Sequence, residues 1–139
     1  MKRSAFIPLV AVGLLAAAPQ KRPAIVTVRD RGCSCCEGWV AAVRSAGYTV
    51  VLQDMDHDER LRRFGIDESL SSCHTAQVAG YLVEGHVPVA ALDKLLRERP
   101  HARGITVPGM PTGTPGMPGP KVPIHVVFLD APERVFYSA

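Results

Sequence analysis

The 139-residue sequence lacks the marks of the common catalytic classes. It has no Ser/His/Asp order, no phosphate-cradling glycine loop, no dinucleotide fingerprint and no helical H-E-x-x-H. Its four cysteines also miss the paired spacing of a zinc ribbon or finger, because Cys33, Cys35 and Cys36 fall within four positions. The apolar run from Ala5 to Ala18, about 14 residues, is shorter than the roughly 20 that a bilayer span needs. The formal charge of +3 does not describe the body of the chain. Lys2, Arg3, Lys21 and Arg22 lie in the first 23 residues with no acid among them, and removing these four from sixteen basic residues leaves twelve against thirteen acids. No nucleic-acid footprint remains once the leader is set aside.

What is present begins with that leader. Lys2 and Arg3 before Ala5–Ala18 have the form of a secretory n-region and h-region, and Ala16, Ala17 and Ala18 make an A-x-A-like cleavage site. Pro19 stands directly downstream, where it fits signal peptidase poorly, so an uncleaved amphiphilic anchor is the competing expectation. Residues 1–20 are thus expected to be a signal peptide or N-terminal anchor, and residues 21–139 a single domain. An exported chain meets an oxidising compartment, in which four cysteines could be two structural disulfides.

Along the chain, Ala24–Arg29 is a β-branched run that predicts a strand, and Asp30-Arg31-Gly32 a turn into Cys33-Ser34-Cys35-Cys36. Cys36, Trp39, Val40 and Val43 then recur at i, i+3, i+4 and i+7, which predicts a helix stopped by Gly47. Ser34 and Glu37 have the spacing of a capping box. Tyr48–Leu52 predicts a second strand, Asp54–Asp58 an acidic connection, and Leu61 with Phe64 a short helix ending at Gly65. Strands are expected near Thr75–Ala79 and Tyr81–Val83, paired through Gly80. A helix with Pro88 in its first turn carries Leu92, Leu95 and Leu96 and stops before Pro100. The order is β-α-β-α-β-β-α. Val107–Pro120 holds two Pro-Gly-Met-Pro copies, at 108–111 and 115–118, and reads as a Gly/Pro/Met-rich loop before short terminal strands at Ile124–Leu129 and Val135–Tyr137.

The chemistry concentrates in the cysteines. Cys33 and Cys36 form a C-x-x-C between a strand and a helix within a βαβ pattern, a thioredoxin-like signal. Free N–H groups and the dipole of the helix start stabilise thiolate, the form needed for disulfide exchange and for metal ligation alike. Cys35 tilts the balance: a redox pair needs two thiols, whereas crowded thiolates suit a soft ion such as Cu(I). The plainer reading makes Cys36 a core residue and the others structural. Cys73 supplies a fourth thiol. His74, its neighbour, reaches the same centre only if a turn separates them, since adjacent strand residues face opposite ways. His86 precedes a helix and can approach the same end of the sheet. Met110 and Met117 offer thioethers from the glycine-proline loop, or else a hydrophobic lid. His57, in Met55-Asp56-His57-Asp58, is read as part of a solvated connection, and His101 and His125 stand alone.

These motifs, Cys33-Ser34-Cys35-Cys36 with Trp39, Ser72-Cys73-His74-Thr75, Gly80-Tyr81, Glu84-Gly85-His86-Val87-Pro88, Arg103-Gly104 and the two Pro-Gly-Met segments, occur in the order expected of the CopG copper-resistance family, which the chain resembles over about residues 24 to 130. Ser34 stands where many relatives have glycine. The resemblance implies a thioredoxin-like fold and periplasmic copper, or silver, tolerance with interconversion of Cu(I) and Cu(II). It implies Cys33, Cys35, Cys36 and Cys73 as core copper ligands, bridging more than one ion, with His74, His86, Met110 and Met117 as secondary ones. The expected partners are metal ions and copper export or chaperone proteins, with no nucleic acid and no membrane contact except through an uncleaved anchor. The rival reading is a periplasmic thiol–disulfide oxidoreductase using Cys33 and Cys36, weakened by Cys35 and by the lack of a proline beside Thr75. A third is a module stapled by two disulfides.

Overall fold

The computed structural model describes residues 21–139; the leader, with its alternatives of signal peptide and anchor, lies outside the described residues. The first strand, β1 (Ile25–Asp30), runs into helix α1 (Ser34–Ser45), whose buried face is Cys36, Trp39, Val40 and Val43. Parallel strands need a crossover, and α1 supplies it for β2 (Val50–Met55), which pairs parallel to β1. Helix α2 (His57–Phe64) follows after the single residue Asp56. The Asp56 side chain accepts from the N–H groups of Asp58 at 3.1 Å and Glu59 at 3.3 Å, and Gly65 ends the helix at φ 60°. After a 3₁₀ turn at Glu68–Leu70 come β3 (His74–Val78) and β4 (Tyr81–Glu84), joined by Ala79 and Gly80, both at positive φ, as a tight hairpin requires. Helix α3 (Val89–Glu98), β5 (Gly104–Thr106), β6 (His125–Phe128) and β7 (Ala131–Ser138) complete one seven-stranded sheet in the order β2-β1-β3-β4-β5-β6-β7.

The mixed α/β class and the β-α-β-α-β-β-α order over the first two-thirds of the described chain match expectation; several details differ. Cys33, not Ser34, is the N-cap of α1 and makes no side-chain cap bond, so the Ser34–Glu37 box does not form. Glu37 instead accepts from Arg29 Nη1 at 2.7 Å. The second strand starts later than Tyr48 and runs on through Asp54 to Met55, leaving Asp56 as a helix cap rather than part of a long acidic connection. Pro88 is the N-cap of α3 rather than inside its first turn. The three residues of β5 carry no periodicity a reader can use, and the strand exists through its parallel pairing with β4.

That pairing explains Gly104. A Cβ there would lie 1.9 Å from the Leu82 carbonyl oxygen, so only glycine lets the two backbones meet. The core divides by strand face. Ile25, Trp39, Val43, Ala76, Val83, Leu92, Leu95 and Ile105 pack together on the side of α1 and α3. Val28, Leu61, Phe64, Ile66 and Leu129 form a smaller cluster on the side of α2. Ile25 and Val28, an odd number of residues apart on one strand, fall on opposite faces as the pleat demands.

Leu92 is fully buried, so Leu92→Ala is expected to cost about 2–5 kcal/mol in denaturant unfolding with the m-value unchanged. Gly104→Ala forces the strands apart and should cost about 1–3 kcal/mol, although it adds only a methyl group.

Candidate metal centre

Three chain segments deliver sulfur to one point. Cys33 closes the turn after β1, its N–H donating to the Asp30 carbonyl at 3.1 Å, and its own carbonyl accepts from Arg29 Nη1 at 3.1 Å. Cys35 and Cys36 occupy the first turn of α1, where helix N–H groups lack intrahelical partners. Cys73 sits just before β3, beside the end of β1, because the β1–β3 register sets Arg29 opposite His74. The Asp30 N–H donates to the Cys73 carbonyl at 2.9 Å and locks this junction.

The four Sγ atoms all lie within 4.8 Å of one another. Cys73 is the hub: its Sγ is 3.3 Å from that of Cys36 and 3.6 Å from that of Cys35, which is itself 3.2 Å from Cys33 Sγ. Cys33 and Cys36 are joined as a disulfide, their Cα atoms 5.6 Å apart, while Cys35 and Cys73 are free thiols. Cys36 is both a core residue and part of the cluster, but the expectation of two structural disulfides fails, because the one bond is Cys33–Cys36 and Cys35 and Cys73 stay free.

Both candidate imidazoles reach the hub. Cys73 precedes the strand, so strand alternation does not separate it from His74, whose Nδ1 lies 3.5 Å from Cys73 Sγ. His86, in the turn between β4 and α3, places Nε2 at 3.1 Å from the same sulfur. Its Nδ1 donates to the Pro115 carbonyl at 2.6 Å, which leaves Nε2 as the lone-pair nitrogen facing Cys73. Cys73, His74 and His86 thus form a second, buried donor group sharing the hub sulfur with the first. His74 Nε2 is buried without a partner, and its ring packs on Trp39 at 4.6 Å between centroids. Trp39 is in turn fixed by donating to the Val87 carbonyl at 2.9 Å.

Burial sets the protonation states. It pushes the Cys73 thiol up to about 12, reinforced by Cys35. It holds His74 well below the usual imidazole range, helped by the neighbouring His86 and the positive Arg60, and it lowers His86, against the pull of the Pro115 carbonyl. Near neutrality the centre therefore holds neutral imidazoles and a protonated hub thiol. Nitrogen and sulfur donors of this kind favour soft or borderline metals over Mg²⁺ or Ca²⁺.

The glycine-proline loop is seated on this centre. Gly109 N–H donates to the Ser71 carbonyl at 2.9 Å, and its own carbonyl accepts from Ser72 Oγ at 2.6 Å. Gly116, at φ 86°, packs so tightly on α1 that a Cβ would lie 2.4 Å from the Cys35 carbonyl oxygen. The second Pro-Gly-Met copy thus abuts the cysteine turn. Met117 is half-buried, whereas Met110 is 52% exposed.

His57 is not merely a solvated connector. Its Nδ1 pairs with Asp30 at 2.8 Å, which raises its pKa. Sequence reasoning missed Arg60, Asp30 and Glu84, which form a charged network directly behind Cys73. A usable signal was Glu84, a carboxylate closing a core strand directly before Gly85-His86. Among the described residues no helix is long and apolar enough to cross a membrane.

A family model described as "Protein of unknown function, DUF411" matches residues 70–117. Two solved structures, "Copper resistance protein copG" Form 1 and Form 2, are each similar to the chain at 36% sequence identity and TM-score 0.76, covering 85% of this chain and 98% of theirs. No curated protein matches.

Because His74 and His86 are held neutral in the fold and titrate near 6.5 when unfolded, the unfolded chain gains protons first as pH falls. Stability is full above about pH 6.5 and declines below it, by about 1.4 kcal/mol per pH unit for each histidine until its folded pKa is reached. Denaturant unfolding of the metal-free protein below pH 6.5 should show this loss, and His74→Gln should remove about 1.4 kcal/mol per pH unit of it.

Proposed function

The chain belongs to the family of the copper resistance protein CopG, and from that premise we propose that it is a periplasmic Cu(I)-binding protein of copper resistance. The observation that carries this reading is the convergence of four cysteine sulfurs on one point, with Cys73 also within reach of two neutral imidazoles. In this reading copper is cargo. Cys33, Cys35, Cys36 and Cys73 hold it as thiolates, and a sulfur shared between two donor groups suits more than one ion. His74 and His86 add nitrogen donors at the hub, and Met110 and Met117 add thioethers from the loop. Silver, which shares Cu(I)'s preference for sulfur, is a second cargo of the same site. A thioredoxin-like scaffold, export through the leader, exchange of cargo with copper export or chaperone proteins, and interconversion of Cu(I) and Cu(II) belong to the same proposal.

Loading has a proton and an electron requirement. Two electrons and two protons from an external dithiol, itself oxidised to a disulfide, convert the Cys33–Cys36 disulfide to thiols, which give up their protons as they ligate. The Cys73 thiol, pushed up to about 12, must release its proton as metal binds. The dry packing of Trp39 against His74 keeps water from one side of the centre.

The Cys33–Cys36 disulfide favours one alternative, a thiol–disulfide oxidoreductase at the same helix start. Here Cys33, half-buried, is the attackable sulfur and Cys36 the buried partner. Cys35, 3.2 Å from Cys33, counts against it, because it offers that sulfur a competing partner.

Anaerobic titration of the reduced protein with Cu(I) against a competing chelator is expected to give tight binding of more than one copper per chain, abolished by cysteine alkylation. Cys35→Ser and Cys36→Ser should each lose most of the copper; full stoichiometry in both variants would sink the proposal. Binding should strengthen as pH rises, about tenfold per pH unit for each proton released. Rapid insulin reduction that disappears in Cys33→Ser would instead favour the oxidoreductase.

A further inference from the structure

Ser72, the residue that leads into Cys73, is held by an ion pair to which the metal-binding reading assigns no role. Arg60, on α2, is completely buried, as is Glu84 at the end of β4. Arg60 Nη1 donates to Glu84 Oε1 at 2.9 Å and to Thr75 Oγ1 at 2.6 Å, and Thr75 Oγ1 donates to Glu84 Oε2 at 2.5 Å. Both polar backbone groups of Ser72 are taken by the pair: its N–H donates to Glu84 Oε1 at 2.9 Å, and its carbonyl accepts from Arg60 Nη2 at 2.6 Å. Arg60 Nε holds Asp30 at 2.8 Å, and the Asp30 N–H holds the Cys73 carbonyl at 2.9 Å. One guanidinium thereby fixes the backbone on both sides of the Ser72–Cys73 peptide.

A buried ion pair is an expensive way to fill space, since apolar side chains of similar volume often serve stability as well or better. What it supplies is direction. A planar guanidinium presents its donors in a rigid fork, which a lysine cannot reproduce. The group that needs direction is Cys73 Sγ, which must stand within 3.1–3.6 Å of two cysteine sulfurs and two imidazole nitrogens at once. We propose that Arg60 and Glu84 are positioning residues that clamp the Ser72–Cys73 backbone so that the Cys73 sulfur can be shared between the two donor groups, an inference that rests on the metal-binding reading for its purpose.

The test uses the full reduced protein and two readouts: Cu(I) affinity by chelator competition, and the rate of iodoacetamide alkylation of Cys73 relative to Cys35 in the metal-free state. Glu84→Gln is expected to weaken Cu(I) binding about 10- to 100-fold and to raise the Cys73:Cys35 alkylation ratio about tenfold. Arg60→Lys should lose as much, since the charge alone does not restore the fork. Leu92→Ala, which lowers stability through the core, should leave both readouts unmoved. Wild-type affinity and ratio in Glu84→Gln, or an equal change in Leu92→Ala, would overturn the clamp. Should Glu84→Gln fail to fold, Thr75→Val removes the bridging hydroxyl and must shift both readouts in the same direction; no shift would overturn the clamp equally. If the unsubstituted protein takes up no Cu(I), the metal reading falls, and the alkylation ratio by itself decides whether Cys73 is clamped.

Discussion

The antiparallel register of β1 against β3, which sets Arg29 opposite His74, is the contact on which the sulfur cluster depends. It brings the exit of one strand beside the entrance of another, and each carries its cysteines just beyond the paired region. Slipping the register by one residue would turn Ala76 and Val78 out of the core. Slipping it by two keeps the faces but moves Cys73 by about 6.8 Å, more than the whole span across which the four sulfurs gather. The hydrophobic pattern that selects the strand face thus selects the geometry of the centre as well.

Around that junction the protein accepts unfavourable terms. Two histidines are buried neutral, one with an unpartnered nitrogen, and a guanidinium and a carboxylate lie in the interior. Burial works against the Arg60 charge, and the bonds it donates to Asp30 and Glu84 more than offset this, so its pKa is raised; burial likewise pushes Glu84 up while Arg60 pulls it back. Such groups add little to stability, and the apolar cluster between the sheet and helices α1 and α3 has to carry the fold. The proposed metal-binding reading gives these costs a physical reason: soft-metal ligands must be preorganised, deprotonable and shielded from water.

The loop rich in glycine and proline illustrates the same economy. Its prolines exclude it from helix and central strand, and its glycines let backbone lie against backbone. Gly116 against Cys35 and Gly109 against Ser72 fasten the loop to both halves of the centre, and Pro115 orients His86 through one carbonyl. A segment without regular structure therefore acts as part of the site's wall.

Much of this was legible in the amino-acid sequence. The 3.6-residue spacing of Cys36, Trp39, Val40 and Val43 places the cysteines at a helix start, and the β-branched run before them places that start at a strand end, because these are local properties of the chain. The crowding of three cysteines in four positions points to soft-metal chemistry by the same local logic. The N-cap of α1, the three-residue β5 and the role of Arg60 were not legible, and Glu84 showed only as a carboxylate closing a core strand. A cap depends on where the preceding turn ends, and a strand this short exists only through its neighbour. Arg60 reads as one more charge on a polar helix until the fold closes over it. The sequence by itself determined which residues carry sulfur and nitrogen and on which elements they ride. Only the tertiary structure decided that Cys73 stands at the hub, because the sulfurs beside it belong to Cys35 and Cys36, 38 and 37 residues earlier, and meet it through sheet register and a buried ion pair.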